Sequence, residues 1–242
     1  PGLDEDFQLD PNALHIWPRG EFMLIALPNT DKSFTCTLFL PNEGKISFKS
    51  LISNDLVYDF FNDNFNDVIQ LLENFPESYF NNPVGKLATI YADQWQYENQ
   101  FCLIGDAAHA VVPFFGQGMN ASFEDCHLLM KCLDELNGDW NKLFVKYNLE
   151  RKPDADAIAK MAIENYVEMR KSVTEKEFIY KKKIANELFM QYPDRFIPRY
   201  NMVSFTSINY AEVYRRGKIQ DQIIQAVNAE NLNMKLAEKL IL

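Results

Sequence analysis

Basic charge is scarce in this sequence. Its 242 residues include 24 Lys and Arg against 34 Asp and Glu, which gives a formal net charge of -10 and a pI near 4.9. A chain with this balance lacks the overall positive field that draws nucleic acid to a protein. We therefore predict that neither DNA nor RNA is a partner.

Metal-binding and disulfide-forming residues are also few. The sequence has four cysteines with no Cys-x-x-Cys pair, and it has only three histidines. Structural zinc sites usually draw their ligands from closely spaced Cys and His. We interpret the thiols as reduced core residues, with zinc binding and disulfides as less favoured alternatives, and we predict no metal site.

Long apolar runs are missing as well. No stretch approaches the ~18 to 20 apolar residues that a membrane-spanning helix needs, and the first residues, PGLDEDFQLD, are acidic, unlike a signal or transit peptide. However, 47% of the residues are apolar, which is ample for a packed core. We expect a soluble globular chain.

The hydrophobic pattern changes along the chain. Residues 14–41 contain three β-favouring runs separated by turn residues, which predicts an antiparallel meander. Apolar spacings of three and four predict helices over residues 54–75 and 120–136, and mostly helix beyond Trp140, with one helix starting at Pro153. The short runs 87–91 and 101–104 are typical of strands.

The segment FCLIGDAAHAVVPFFGQGMN combines several features of a ligand site. A strand that runs into Gly105-Asp106 places a carboxylate at its end, where it can accept hydrogen bonds from ribose or ribityl hydroxyls. Gly116-Gln117-Gly118 offers flexible backbone N–H groups just before a helix N-terminus, which favours anionic charge. Each fragment alone is an ordinary turn; their order within one short segment favours a flavin site.

This order of motifs resembles the second FAD-binding motif of the group A flavoprotein monooxygenases. With NPVGKLATIYADQW upstream and ENYVEMR downstream, the chain more closely resembles the kynurenine 3-monooxygenase family. The resemblance implies an α/β fold, a Rossmann-type FAD-binding monooxygenase fold with an antiparallel substrate-domain sheet and a C-terminal helical region. It also implies NADPH- and O2-dependent hydroxylation of L-kynurenine to 3-hydroxykynurenine through a flavin C4a-hydroperoxide, with no catalytic residue required of this chain.

Three domains follow from the resemblance and the change of pattern. Residues 1–85 would form the sheet and helix of the substrate domain, and residues 86–150 the C-terminal part of the FAD-binding domain. Residues 151–242 would form a helical domain that contributes to the substrate pocket.

The resemblance also implies which residues hold FAD. Asp106 matches the partner of the ribityl chain, and residues 118–120 match the pyrimidine edge of the flavin. The cofactor-binding candidates are Gly105, Asp106, Ala107, Pro113, Gly116, Gly118, Met119 and Asn120.

A second set of positions matches the family's substrate pocket. Asn165 and Tyr200 match the residues that hold the amino-acid end of kynurenine, and three residues of the meander match an apolar floor under its ring. The substrate-binding candidates are Leu14, Leu27, Phe39, Phe114, Phe115, Gln117, Asn165 and Tyr200.

Two polar residues also have structural interpretations. Asn165 lies four residues from both Met161 and Met169, inside an apolar stripe, so its amide needs a partner, either substrate or another helix. His109 can be taken for a general base, but Ala-Ala-His-Ala favours a packing or cofactor-proximal role.

Two family motifs are not in the sequence. It has neither Gly-x-Gly-x-x-Gly nor Asp-Gly, so the resemblance implies that the chain matches the C-terminal part of the enzyme and requires an N-terminal part as partner. Intact eukaryotic members are anchored in the outer mitochondrial membrane, facing the cytosol, by a C-terminal segment that is not seen here. The open alternatives are another group A hydroxylase with a ubiquinone-pathway or phenolic substrate, and a non-catalytic α+β interaction module.

Overall fold

A computed structural model describes residues 6–170 and 175–229. The chain divides into two compact units, residues 1–86 with 167–175 and residues 87–166 with 176–242. Helices combine with small antiparallel sheets, so the predicted α/β class is confirmed. The three-domain division stays a prediction.

The first unit contains the predicted meander. Strands β1 (His15–Pro18), β2 (Met23–Pro28) and β3 (Phe34–Phe39) pair in that order, all antiparallel. The pairing of Trp17, Leu24 and Leu38 puts these side chains on one face, which packs in the main core of the unit. The period of two therefore fixes which side of the sheet is buried.

Helix α1 (Asn54–Ile69) supplies the other side of this core. Ser53 caps it by accepting a hydrogen bond from the N–H of Leu56, and Phe60, Phe61 and Phe65 are buried. The helix is kinked at Phe65 and ends before the predicted residue 75, and the short helix α2 (Glu77–Asn81) follows it.

The second unit begins with irregular backbone. Strands β4 (Gln96–Tyr97) and β5 (Phe101–Cys102) form a two-stranded ribbon, so the strand expected over 101–104 is shorter than predicted. The strand expected over 87–91 is wrong, since that run is coil whose Ile90 N–H donates to Ala110 O at 2.8 Å. An isolated backbone bond of this kind leaves no ladder to define a strand.

Helices form the rest of the second unit, apart from residues 167–170 at the end of one helix, which belong to the first unit. The helix predicted over 120–136 is present and begins two residues earlier, at Gly118. The predicted helix start at Pro153 is wrong, because that residue lies inside one long helix that also passes residue 150. Within residues 6–170 and 175–229, none of the helices combines the length and the apolar composition of a membrane span. The helices are α3 (Asp106–His109), α4 (Gly118–Glu135), α5 (Trp140–Arg170), α6 (Lys176–Gln191), α7 (Arg199–Phe205) and α8 (Tyr210–Ala229).

Candidate functional site

The predicted Gly-Asp corner is a sharp backbone turn. Gly105 has a φ of 61°, a backbone conformation that residues with a side chain rarely adopt, and an added Cβ would lie 3.4 Å from Ser122 Oγ. The turn leads into α3, where Asp106 and Ala107 are exposed to solvent and Ala108 is buried. The glycine therefore turns the chain so that the Asp106 carboxylate lies at the surface.

A buried charged network anchors this corner. Asp125 Oδ2 accepts the Gly105 N–H at 2.8 Å and lies 2.6 Å from His109 Nε2, and Asp125 Oδ1 accepts from Arg151 Nε at 2.6 Å. Arg151 also donates to Ala121 O at 2.8 Å. One carboxylate on α4 thus holds three groups, which come from the corner, α3 and α5.

The network keeps Asp125 ionised. Burial opposes its charge, but the hydrogen bonds from His109 and Arg151 outweigh that effect and hold the pKa of this carboxyl below its usual range. His109 is itself buried and stacks on Trp95 with ring centroids 5.1 Å apart. These contacts support the packing role over that of a general base.

The sequence interpretation did not assign roles to Asp125 and Arg151. A signal was present, because Asp125 falls in register with the buried Ala121 and Cys132 on one face of α4. An acid on such a buried stripe requires a partner. Its cation, Arg151, lies 26 residues away on another helix, and no local pattern identifies it.

The remaining predicted cofactor residues lie at the start of α4. Pro113 opens a 3-10 turn that ends at Gly116, whose φ is 67° and whose N–H donates to Pro113 O at 2.9 Å. That N–H is therefore not available to a ligand, contrary to expectation. Met119 is 69% exposed, Asn120 is also exposed, and Gly118 is half-buried.

Gln117 lies beneath this turn. It is buried, and its Oε1 accepts hydrogen bonds from Asn120 Nδ2 at 3.0 Å and from Tyr210 Oη at 3.1 Å. The residue therefore connects α4 to α8. Its substrate role stays a prediction.

The structure brings four predicted substrate residues together around the same turn. Asn165 Nδ2 donates to Phe114 O at 2.7 Å, which gives the amide a partner that its place in an apolar stripe required. Phe115 stacks on Tyr200 with ring centroids 5.8 Å apart. Phe114 stacks on Tyr166 at 4.4 Å. Residues 113–116, called the aromatic turn below, thus contact both α5 and α7.

The three meander candidates belong to the first unit. Phe39 pairs with Met23 across the sheet, and Leu27 with Thr35, so Leu27 and Phe39 share a face; continuation of the β1 register puts Leu14 on it too. Leu14 and Leu27 are 44% and 46% exposed. This face is opposite to the one that packs against α1.

Comparison with known proteins relates this arrangement to a family. A family model described as FAD binding domain matches residues 74–162, which include the anchored corner and the turn. A kynurenine 3-monooxygenase of Flavobacterium johnsoniae is 46% identical over 233 residues, covering 95% of this chain and 52% of that protein. The resemblance to kynurenine 3-monooxygenases is confirmed.

Other relatives carry the same name. The kynurenine 3-monooxygenase of Dictyostelium discoideum is 42% identical over 259 residues, covering 99% of this chain and 56% of that protein. That of Myxococcus xanthus is 44% identical over 240 residues, covering 97% and 52%. The chain therefore spans about half the length of the curated relatives that it matches.

Among the described residues, no group of three or more His, Cys, Asp or Glu side chains is placed to hold a metal ion.

Proposed function

We propose that this chain is part of an FAD-dependent enzyme that uses NADPH and O2 to hydroxylate L-kynurenine to 3-hydroxykynurenine. Its partner in this proposal is the N-terminal part of the same enzyme, which carries the Gly-x-Gly-x-x-Gly motif. The observation that carries the proposal is segment 105–120, which exposes Asp106 and residues 119–120, lies within the FAD-binding match and is anchored to a buried network through Gly105 and Asp125.

The residues present fit FAD. Asp106 offers an exposed carboxylate for the ribityl hydroxyls, beside the small side chain of Ala107. The first turn of α4 has no acidic side chain, and its N-cap Gln117 makes no capping bond, so the helix dipole remains available to the anionic edge of a flavin. Gly105, Pro113, Gly116, Gly118, Met119 and Asn120 complete the proposed contact surface.

When bound, FAD supplies the electron transfer and oxygen activation that side chains cannot perform. The residues of this chain position the reactants. The Asp125 network holds the Gly105 corner, and the aromatic turn excludes water from the substrate side through Phe114 and Phe115. No side chain of the chain needs to transfer a proton in this proposal.

Recognition of the substrate is assigned to the residues that contact the aromatic turn. The amide of Asn165 and the hydroxyl of Tyr200 suit the charged amino-acid end of kynurenine. Gln117, which is held by Tyr210 beneath the same turn, is proposed as a further substrate contact. In the first unit, the sheet face of Leu14, Leu27 and Phe39 is proposed to contact an apolar ring.

Flavin binding tests the proposal. The sample is the assembled protein, meaning this chain together with the N-terminal part of the enzyme. We expect Asp106→Ala to weaken FAD binding about tenfold, because a charged hydrogen-bond acceptor is lost. Asp134→Ala, an exposed acid on α4, is the matched control. Equal flavin absorbance in both variants would remove the assignment of Asp106.

Substrate recognition needs its own measurement. We expect Asn165→Ala and Tyr200→Phe to raise the KM for kynurenine about tenfold while flavin is retained, since each removes a polar contact to the substrate. Kynurenine-dependent NADPH oxidation measures this. Oxidation driven by phenols and not by kynurenine would favour another group A hydroxylase, and an assembled protein without flavin would favour a non-catalytic module.

The location follows only from the resemblance. An outer mitochondrial membrane position facing the cytosol is proposed for the intact eukaryotic enzyme, and several of the similar proteins are bacterial.

A further inference from the structure

An ion pair joins the two helices that carry the proposed substrate residues. Arg199 Nη1 donates to Glu164 Oε2 at 2.5 Å. Glu164 directly precedes Asn165 on α5, and Arg199 directly precedes Tyr200 on α7. The pair therefore connects α5 to α7 one residue away from each proposed contact with substrate.

Helix α8 braces this pair from one face. Tyr214 Oη and Lys218 Nζ donate to Glu164 Oε1 at 3.2 and 2.8 Å, and Arg199 Nη2 donates to Asp221 Oδ2 at 2.8 Å. The spacing of four and three residues puts the α8 members of this cluster on one side of the helix. Glu164 thus accepts from three donors, and Arg199 reaches two carboxylates.

Gly217 lies on the same side of α8. It is buried, and an added Cβ would lie 2.3 Å from Arg199 Nε. Glycine in the interior of a helix is unfavourable compared with alanine. The close approach of the Arg199 guanidinium gives a physical reason for glycine here.

The cluster is partly shielded from solvent. The side chains of Arg199 and Glu164 are 21% and 35% exposed. Burial opposes the charge of Glu164, but the hydrogen bond from Lys218 and the charge of Arg199 outweigh it and hold the pKa of Glu164 below its usual range. An arginine that binds two carboxylates restricts the positions of its partners more than an isolated surface ion pair does.

The aromatic turn depends on the same spacing between α5 and α7. Phe114 O accepts from Asn165, whereas the next residue, Phe115, stacks on Tyr200. A change in the separation of the two helices therefore alters both contacts together.

We infer that Glu164 and Arg199, braced by α8, are positioning residues that set the placement of Asn165 and Tyr200 and thereby the affinity for the amino-acid end of the substrate. This inference rests on the proposed function. It assigns to α8 a role in substrate recognition without any direct contact with substrate.

Two substitutions in the assembled protein test it. Glu164→Gln removes the negative charge that holds Arg199 on α5. Gly217→Ala adds a methyl group on α8 that displaces the Arg199 guanidinium. We expect each to raise the KM for kynurenine about tenfold, equivalent to about 1.4 kcal/mol, with kcat within about twofold and flavin content unchanged. The melting temperature of Gly217→Ala should change little, because the higher helix propensity of alanine offsets the cost of moving the Arg199 guanidinium.

Glu212→Gln is the matched control. Glu212 also lies on α8 and pairs with Arg215 and Arg216, away from the cluster. We expect it to leave KM unchanged. A KM that stays at the unsubstituted value in both test variants, beside a normal response to kynurenine, would overturn this inference alone. Absence of any kynurenine response in the unsubstituted protein would overturn the proposed function and this inference with it.

Discussion

Both units have apolar cores, but the interior of the second also contains a buried ion pair. In the first, Phe22, Phe60 and Phe65 form aromatic contacts with ring centroids 5.2 to 6.0 Å apart. In the second, Asp125 and Arg151 place opposite charges inside the protein, joined at 2.6 Å. Aromatic pairs favour certain ring orientations but still tolerate exchange of one apolar side chain for another, whereas charged hydrogen bonds fix the positions of donor and acceptor atoms. The buried ion pair lies under segment 105–120, which must be placed accurately if it is to bind a ligand.

The largest expected effect comes from removing the buried charge. Asp125→Asn leaves Arg151 without its closest carboxylate and puts an NH2 group where donors converge, so we expect a loss of about 3 to 5 kcal/mol in the free energy of unfolding. Urea unfolding of the chain measures this. Glu124→Gln is the control, because Glu124 contacts the same Arg151 at 3.0 Å but is 51% exposed. The control should lose no more than about 1 kcal/mol, and equal losses in the two variants would break the comparison.

Acid should reproduce part of that effect. The folded-state pKa of Asp125 is lowered, so its contribution to stability is present above the unfolded pKa of about 4 and is lost as pH falls below that value. Unfolding curves at pH 7 and at about pH 3 should differ more for the unsubstituted chain than for Asp125→Asn. The same difference in both would mean that other carboxyls cause the acid loss.

The smallest expected effect concerns the aromatic interior. Phe65→Leu replaces a fully buried ring by another apolar side chain, and we expect it to cost about 1 to 1.5 kcal/mol, because apolar cores tolerate such exchanges. Calorimetric unfolding provides the measurement. A loss as large as that of Asp125→Asn would show that the first unit is equally specific.

Local patterns predicted the parts of the fold that depend on neighbours in sequence. The meander follows from alternation between turn residues, and α4 from apolar spacing, so both were predicted. The run 87–91 is apolar enough for a strand but has no strand partner, which a single sequence does not reveal. Pro153 matched a helix start, yet the helix continues through it because packing of the buried residues on both sides supports the longer element.

The candidate site was predictable to a similar extent. The place of Asn165 in an apolar stripe required a hydrogen bond, but its acceptor, Phe114 O, is 51 residues away along the chain. The residues of the motif were identified from its order of glycines and acid. The network beneath it was missed because Asp125 and Arg151 meet only through tertiary structure.

Because α5 is continuous, it fixes the distance between two parts of the candidate site. Arg151, which holds the Gly105 corner, and Asn165, which contacts the aromatic turn, lie on one unbroken helix, separated by roughly 21 Å at 1.5 Å per residue. Inserting or deleting one residue between them would shift Asn165 by about 1.5 Å and rotate it by about 100°. Length changes in this interval would therefore disconnect the two ends at once, so natural variation here should occur by substitution and not by insertion.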